Sequence, residues 1–169
     1  HVFPHCSGEK QIQLVAGGKE RQHSVYNGLS ALRPHETHVA VHDGVRPLIA
    51  EIDIENCLKN AFRFGACILG VPAKETLKKV SKSDSIQYTI ERKNVWMAQT
   101  PQAFRRDWLV KAHESAIQEN YLGTDDASLL ERIGLEVKIV QGNHHNIKIT
   151  TPEDLILAES LLSAVGHAE

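Results

Sequence analysis

The stretch Val41-His42-Asp43-Gly44-Val45-Arg46-Pro47 follows an apolar run, residues 38–41, that is typical of a buried strand. A carboxylate and an arginine three residues apart therefore lie where a strand ends, and in open α/β sheets ligands bind at that edge. Asp43 can face a cation or a sugar hydroxyl, and the planar fork of Arg46 can grip phosphate oxygens. The alternative interpretation is a local ion pair that caps a turn.

Composition indicates one globular domain without a general affinity for polyanions. Of the 169 residues, 41% are hydrophobic and 24% are charged, and the net charge is −2. That charge excludes a general attraction to nucleic acid or to an anionic membrane, so any anion site must be local. Cys6, Cys57 and Cys67 are too widely spaced for a disulfide framework or a zinc site, and they suit a reducing cytoplasm. No apolar run approaches the ~20 residues of a membrane span.

Hydrophobic periodicity predicts alternating strands and helices. The predicted strands are residues 11–15, 38–41, 66–71, 95–98, 136–140 and 147–149, and the predicted helices are residues 24–32, 52–64, 106–119, 127–133 and 152–162. On the helix 106–119 we expect an inward face made of Leu109, Ala112, His113 and Ala116. The alternation indicates an α/β sandwich with a mainly parallel sheet.

Several residues mark where these helices begin and end. Gly65 stops the second helix, and Asp125 or Asp126 can cap the start of the fourth. Thr151 is expected at the N-cap of the last helix, with Pro152 at its first position.

Residues 74–92 are more polar than the segments on either side of them. Two short β-like pieces, residues 76–80 and 86–90, flank the polar turn Ser81-Lys82-Ser83-Asp84. We interpret this segment as a hairpin arm that projects from the domain. Since an isolated hairpin with little apolar surface is marginally stable, we expect it to pack on a second subunit in a homodimer.

Four motifs follow one another along the chain: the opening stretch, Gln99–Phe104, Gly123–Glu131 and Asn146–Leu155. With Leu14-Val15-Ala16-Gly17-Gly18 and Arg21-Gln22-His23-Ser24-Val25, this ordered set resembles the 2-C-methyl-D-erythritol 4-phosphate cytidylyltransferases of the non-mevalonate isoprenoid pathway, especially the bacterial ones. Each motif is weak alone. The set is specific, and it runs from Leu14 to Glu159.

The resemblance implies a Rossmann-like nucleotidyltransferase fold and a reaction. CMP would pass from CTP to the phosphate of methylerythritol phosphate, and pyrophosphate would leave with Mg²⁺. The protein's part would be to position the reactants and neutralise their charge.

The resemblance also implies nine site positions that together hold the nucleotide and the polyol phosphate. They are Gly18 and Ser24 for the nucleotide, Asp43 for nucleotide, metal and catalysis, Lys148 for catalysis, and Arg46, Thr76, Arg92, Thr100 and Thr124 for the substrate. Thr76 and Arg92 belong to the arm and would reach the substrate phosphate of the neighbouring subunit.

Simpler structural roles exist for several of these residues. Ser24 and Thr124 can cap helices, and Thr100, before Pro101, can be a turn residue. Lys148 lies between Ile147 and Ile149, so in a strand it would point away from two apolar neighbours and could simply be solvated.

One departure from the family pattern concerns the start of the sequence. The family opens with a strand and a glycine-rich loop that wraps the CTP triphosphate, whereas here the first family-like residues lie near Leu14. Gly17-Gly18 matches a later, base-side loop instead. We therefore expect an N-terminally truncated domain, comprising residues 1–169, that does not turn over CTP by itself.

Two other functions remain open from the sequence. One is a sister enzyme acting on another polyol phosphate, such as ribitol 5-phosphate. The other is a catalytically silent fragment that binds nucleotide. A dinucleotide-binding domain is set aside, because no Gly-x-Gly-x-x-Gly follows a first strand.

Overall fold

A computed structural model describes residues 12–165 of the chain. In chain order the elements are α1 (Arg21–Ser30), β1 (His38–Val41), α2 (Glu51–Phe64), β2 (Ala66–Pro72), β3 (Leu77–Val80), β4 (Ile86–Ile90), β5 (Trp96–Arg105), α3 (Arg106–Gln118), α4 (Asp126–Arg132), β6 (Lys138–Gln141) and α5 (Pro152–Val165). The α/β class predicted from the sequence is confirmed.

The main sheet of the described residues has the strand order β1-β5-β2-β6. β2 and β6 pair in parallel, whereas β5 is antiparallel to both of its neighbours. Three of the four strands thus share one direction, but the sheet is mixed, and the prediction of a mainly parallel sheet is wrong for β5. The cause is the connection from β2 to β5, which contains no helix. The hairpin arm begins where β2 ends and brings the chain back to that same end. β5 therefore starts beside the end of β2 and runs antiparallel to it.

The arm itself is the antiparallel hairpin of β3 and β4, as predicted. Ala73 N–H donates to Val95 O at 2.9 Å, which closes the base of the arm where β2 ends. Its apolar side chains Val80, Ile86 and Tyr88 are exposed.

Single residues at the helix ends set where α2 stops and where α4 and α5 begin. Gly65 ends α2 with φ 92°. This left-handed conformation favours glycine, and a Cβ there would lie 2.4 Å from the Trp108 ring. Asp125 caps α4 by accepting from Ser128 N–H at 2.9 Å. Thr151 caps α5, since its Oγ1 accepts from Asp154 N–H at 3.3 Å. The predicted caps of α4 and α5 are therefore confirmed.

Two apolar clusters form the core. The larger one contains Phe104 of β5 with Leu109, Leu129 and Leu130 from α3 and α4. The smaller one places Cys57 and Ala61 of α2 against Cys67, Leu69 and Ala103. The inward face predicted for α3 is buried as expected. Cys57 and Cys67 are free thiols, and Cys6 lies outside the described residues.

Three predicted elements differ from the structure. Residues 12–15 and 147–149 are irregular rather than strands, and Gln11 lies outside the described residues. The predicted strand 95–98 is the beginning of β5, which continues to Arg105 with residues 99–104 buried. The segment 99–102 is therefore part of β5 and not a turn, although the pairing of β2 with β5 is irregular between Ala98 and Gln102. Its burial and the pairing of the flanking residues outweigh the local turn signal of Pro101.

α1 begins at Arg21, three residues before the start predicted from periodicity. This difference places Arg21 in the first turn of a helix. Among residues 12–165, no helix is long and apolar enough to cross a membrane.

Candidate active site

A cavity of about 250 Å³ opens beyond the carboxyl end of β1. Five of the nine predicted site residues line it, namely Asp43, Arg46, Thr100, Thr124 and Lys148. Arg21, Ala98, Gln99, Gln102 and Asp125 complete the lining. Side chains from five distant segments thus converge at one edge of the sheet, which is where α/β folds bind ligands.

The Asp43 carboxylate is the centre of this cavity. Lys148 Nζ lies 3.3 Å and Arg46 Nε 3.4 Å from its Oδ2, and Arg21 Nε lies 3.5 Å from its Oδ1. Burial is the largest single influence on the pKa of Asp43 and raises it, but the hydrogen bond and charge of Lys148, with Arg21 and Arg46, outweigh it. The pKa of Asp43 is therefore below its usual range, and the group is a carboxylate.

The turn that carries Asp43 is held by Thr100. Asp43 N–H donates to Thr100 Oγ1 at 3.1 Å, and the same oxygen lies 3.0 Å from His42 Nδ1. Arg46 N–H closes the turn by donating to Asp43 O at 3.0 Å. Thr100 is buried, so its hydroxyl orients the Asp43 turn from β5.

Asn146 holds the loop that carries Lys148. Its Nδ2 donates to Thr100 O at 2.9 Å, and its backbone O accepts from Arg46 Nη1 at 2.7 Å. Ile149 N–H donates to Val45 O at 2.8 Å, which ties the loop to the turn of Asp43. Lys148 therefore reaches the cavity from a loop that these hydrogen bonds hold in place, and not from the predicted strand. Its side chain is 45% exposed and free to move toward a ligand.

Gln102 places Thr124 at the rim of the cavity. Its side-chain Oε1 accepts from the N–H groups of Asp126 and Ala127 at 3.1 and 3.2 Å, and its Nε2 donates to Asp125 Oδ2 at 2.8 Å. A buried amide on β5 thereby fixes the start of α4. Thr124, just before that start, is exposed and lines the cavity.

Gly18 and Ser24 lie outside the lining of this cavity. Gly18 N–H donates to Ser24 Oγ at 2.9 Å, and Ser24 Oγ donates to Glu20 O at 3.2 Å. A Cβ on Gly18 would come within 2.2 Å of His23 Cβ, so only glycine fits. Ser24 braces the loop that leads into α1 and is not the helix N-cap, which is Glu20.

Thr76 and Arg92 also lie outside the lining of the cavity. Both belong to the arm, and Arg92 Nη1 donates to the backbone O of Lys74 at its base. Within one chain the structure brings neither residue to Asp43, so the assignment of Thr76 and Arg92 to a partner's site stays a prediction.

Three residues of the site were not predicted. Arg21 pairs with Asp43 and, through Nη1, with Asp126 Oδ2 at 2.8 Å. Gln102 and Asn146 position Thr124 and Lys148. All three belong to motifs that the sequence already singled out, but nothing in their immediate sequence sets them apart from other polar residues. Their side-chain partners lie 22 or more residues away in sequence.

Comparison with known proteins is consistent with this geometry. The sequence model of the 2-C-methyl-D-erythritol 4-phosphate cytidylyltransferase family matches residues 1–164. The 2-C-methyl-D-erythritol 4-phosphate cytidylyltransferase of Syntrophus aciditrophicus is 48% identical over 167 residues, covering 95% of this chain and 71% of that protein. The protein of the same name from Geobacillus kaustophilus is 49% identical over 156 residues, covering 92% and 68%.

Solved structures agree. The crystal structure of the 2-C-methyl-D-erythritol 4-phosphate cytidylyltransferase from Thermus thermophilus matches with a TM-score of 0.80 and 34% identity, covering 87% of this chain and 71% of that one. The 4-diphosphocytidyl-2C-methyl-D-erythritol synthase from Anaerococcus prevotii matches with a TM-score of 0.81 and 36% identity, covering 87% and 66%. The chain thus spans roughly two thirds of the length of its relatives.

Proposed function

Because this chain belongs to the 2-C-methyl-D-erythritol 4-phosphate cytidylyltransferase family, we propose that the cavity around Asp43 is where its reaction occurs. The activity of the family is the transfer of CMP from CTP to 2-C-methyl-D-erythritol 4-phosphate, a step toward isoprenoid precursors. The observation that carries the proposal is the convergence of Arg21, Arg46 and Lys148 on one carboxylate. Three cations around one anion suit a site that receives phosphates.

The chemistry explains why this charge is needed. An oxygen of the substrate phosphate attacks the α-phosphorus of CTP, a P–O bond to that oxygen forms, and the bond to pyrophosphate breaks. Both reactants are anions, so the protein must bring them together in line and compensate their charge. Positive groups fixed in a half-enclosed cavity do this without reorganising during the reaction.

Lys148 is the cation best placed to move onto the transferring phosphate. Its Nζ contacts Asp43 at 3.3 Å, and the side chain is 45% exposed. Arg46, by contrast, is only 13% exposed and is anchored to Asn146 O. We therefore assign charge neutralisation on the α-phosphate to Lys148, and the binding of the substrate phosphate to Arg46 from a fixed position. Thr124 adds a hydroxyl at the rim.

Asp43 is also the candidate ligand for Mg²⁺. Among residues 12–165 no group of three or more acidic, histidine or cysteine side chains could enclose a metal ion. Mg²⁺ at nucleotide sites is commonly bound by one or two carboxylates together with substrate phosphates and water, so a single ionised Asp43 fits that arrangement. A bound Mg²⁺ would supply Lewis-acid stabilisation of the pyrophosphate leaving group. A cytoplasmic location, where CTP and Mg²⁺ are both present, accords with the proposal.

A pyrophosphate-release assay tests the function directly. The full-length gene product is expected to release pyrophosphate from CTP with 2-C-methyl-D-erythritol 4-phosphate, and far more slowly with ribitol 5-phosphate. Faster turnover of ribitol 5-phosphate would reassign the substrate. Release with neither polyol phosphate would contradict the proposed cytidylyl transfer.

The arm leads to a prediction about shared sites. If Thr76 and Arg92 serve the neighbouring subunit of a homodimer, one site combines Asp43 of one chain with Arg92 of the other. Mixing Arg92→Ala and Asp43→Ala variants of the full-length gene product should then restore about a quarter of wild-type activity, because half of the dimers are mixed and each has one intact site. The measurement is turnover of the re-equilibrated mixture. Activity no higher than that of the separate variants would contradict a shared site.

A further inference from the structure

A buried histidine and a buried aspartate meet behind the proposed active site. His113 on α3 is fully buried, and Asp126 at the start of α4 is 1% exposed. His113 Nε2 lies 3.2 Å from Asp126 Oδ1. The Tyr26 ring of α1 stacks on the imidazole with centroids 5.9 Å apart, so His113 lies where three helices meet. Neither His113 nor Asp126 lines the cavity around Asp43.

Both carboxylate oxygens and the backbone N–H of Asp126 have a polar partner. Oδ1 contacts His113, Oδ2 accepts from Arg21 Nη1 at 2.8 Å, and its N–H donates to Gln102 Oε1 at 3.1 Å. A carboxylate taken out of water is tolerated only when it is paired and hydrogen-bonded, and here each oxygen has one partner. Because Asp126 accepts, His113 Nε2 carries the hydrogen, and Nδ1 finds no partner among residues 12–165. Of the two ring nitrogens, only Nε2 has a hydrogen-bond partner among the described residues, and that partner is Asp126.

Arg21 connects this pair with the active site. The guanidinium contacts Asp126 through Nη1 and Asp43 Oδ1 through Nε at 3.5 Å. Its side chain is 38% exposed, so without an anchor it would sample many conformations. The continuous series His113, Asp126, Arg21 and Asp43 therefore runs from the core to the reacting groups.

We propose that His113 and Asp126 are positioning residues that set Arg21 and, through it, the Asp43 carboxylate for cytidylyl transfer. The inference rests on the function proposed above. When substrate phosphates bind, Lys148 is free to leave Asp43, whereas Arg21 remains anchored by Asp126. Asp43 then keeps Arg21 on Oδ1 and Arg46 on Oδ2, and the place beside Oδ2 that the Lys148 ammonium occupied becomes open to the ligand. Small errors in such a geometry are costly, since displacement of a reacting group by about 1 Å can lower a rate by roughly 10²-fold.

Substitution of His113 in the full-length gene product tests the idea. His113→Leu removes the hydrogen-bond donor, and kcat is expected to fall by about 10²-fold with KM for both substrates changed by less than about 3-fold. His113→Gln can offer an amide N–H close to the position of Nε2, so kcat should recover to within about 5-fold of wild type. Failure of the glutamine variant to exceed the leucine variant would overturn the proposal.

A double-mutant cycle separates positioning from a general loss of stability. Arg21→Gln removes the ion pairs that connect Asp126 with Asp43. In that background His113 can no longer act on Asp43, so adding His113→Leu should lower kcat by no more than about 2-fold further. Multiplication of the two separate effects would show that His113 acts independently of Arg21 and would contradict the inference. The wild-type rate is measured first: no turnover contradicts the proposed function, whereas equal turnover of wild type and His113→Leu contradicts only the positioning role.

Leu109→Ala is the matched control for folding. Leu109 is fully buried on the same helix as His113, but its apolar side chain cannot form a hydrogen bond or an ion pair with Arg21 or Asp126. It should lower the thermal unfolding midpoint at least as much as His113→Leu and leave kcat near wild type below that midpoint. A loss of kcat in Leu109→Ala equal to that in His113→Leu would show that packing alone explains the effect.

Discussion

Asp43→Asn should lower kcat for CMP transfer by about 10³-fold, which is the largest effect that we expect from one substitution. Asparagine keeps the shape of the side chain and can keep the turn, whose backbone bonds run to Thr100 and Arg46. What it removes is the negative charge that Arg21, Arg46 and Lys148 share. The three cations then lie together without their anion, and the candidate Mg²⁺ ligand is lost.

The measurement is steady-state turnover at saturating CTP and polyol phosphate, over a series of Mg²⁺ concentrations. If Asp43 binds the metal, a higher Mg²⁺ concentration should recover part of the loss. Asp107→Asn is the control, because Asp107 forms an exposed pair with Arg105 outside the cavity lining. It should change kcat by less than about 2-fold. Wild-type turnover by Asp43→Asn would remove Asp43 from the mechanism.

Lys148→Gln should produce the second largest loss, about 10²-fold in kcat. The lysine lies on a loop held by Asn146, with its ammonium at Asp43 and its side chain partly free. An amide of similar length keeps a donor but loses the charge that compensates the transferring phosphate. Lys148→Arg keeps the charge but replaces a point-like ammonium by a larger planar group, so it should recover activity only in part.

The division of the effect between kcat and KM decides the role of Lys148. A transition-state role lowers kcat and kcat/KM together, whereas a loss confined to KM would show that Lys148 contributes only to ground-state binding. Lys138→Gln is the matched control, since Lys138 is a partly exposed lysine on β6 that pairs with Glu136. It should leave both constants close to their wild-type values.

Much of the fold was predictable because its signals are local. The helix 52–64 and its stop at Gly65 depend on periodicity within one segment and on one glycine, and both are present. The arm was predictable because two short β-like pieces flank a polar turn. The caps of α4 and α5 were predictable for the same reason, since a cap bonds to a backbone group within a few residues.

The direction of β5 and the secondary structure of residues 99–102 and 147–149 were not predictable in this way. The alternation of strands and helices favoured parallel pairing, but the segment from β2 to β5 is a hairpin, and this reverses β5. Residues 99–102 resemble a turn in sequence but continue β5 as a buried, irregularly paired segment, because burial and the pairing of the flanking residues outweigh a local preference. Residues 147–149 resemble a strand and form a loop, because the contacts that hold it are single hydrogen bonds, from Asn146 Nδ2 to Thr100 O and from Ile149 N–H to Val45 O, and not the regular ladder of a strand pair.

The sequence by itself determined which segments are helices, where most of them end, and which motifs carry Asp43, Arg46, Thr124 and Lys148. Those properties depend on neighbours along the chain. Only the tertiary structure decided that Arg21 joins Asp43 to the buried Asp126, that Gln102 and Asn146 hold the loops of the site, and that Gly18, Ser24, Thr76 and Arg92 lie outside its lining. The physical reason is that hydrogen bonds and ion pairs act over a few ångströms of space, and folding alone sets which distant residues come within that range.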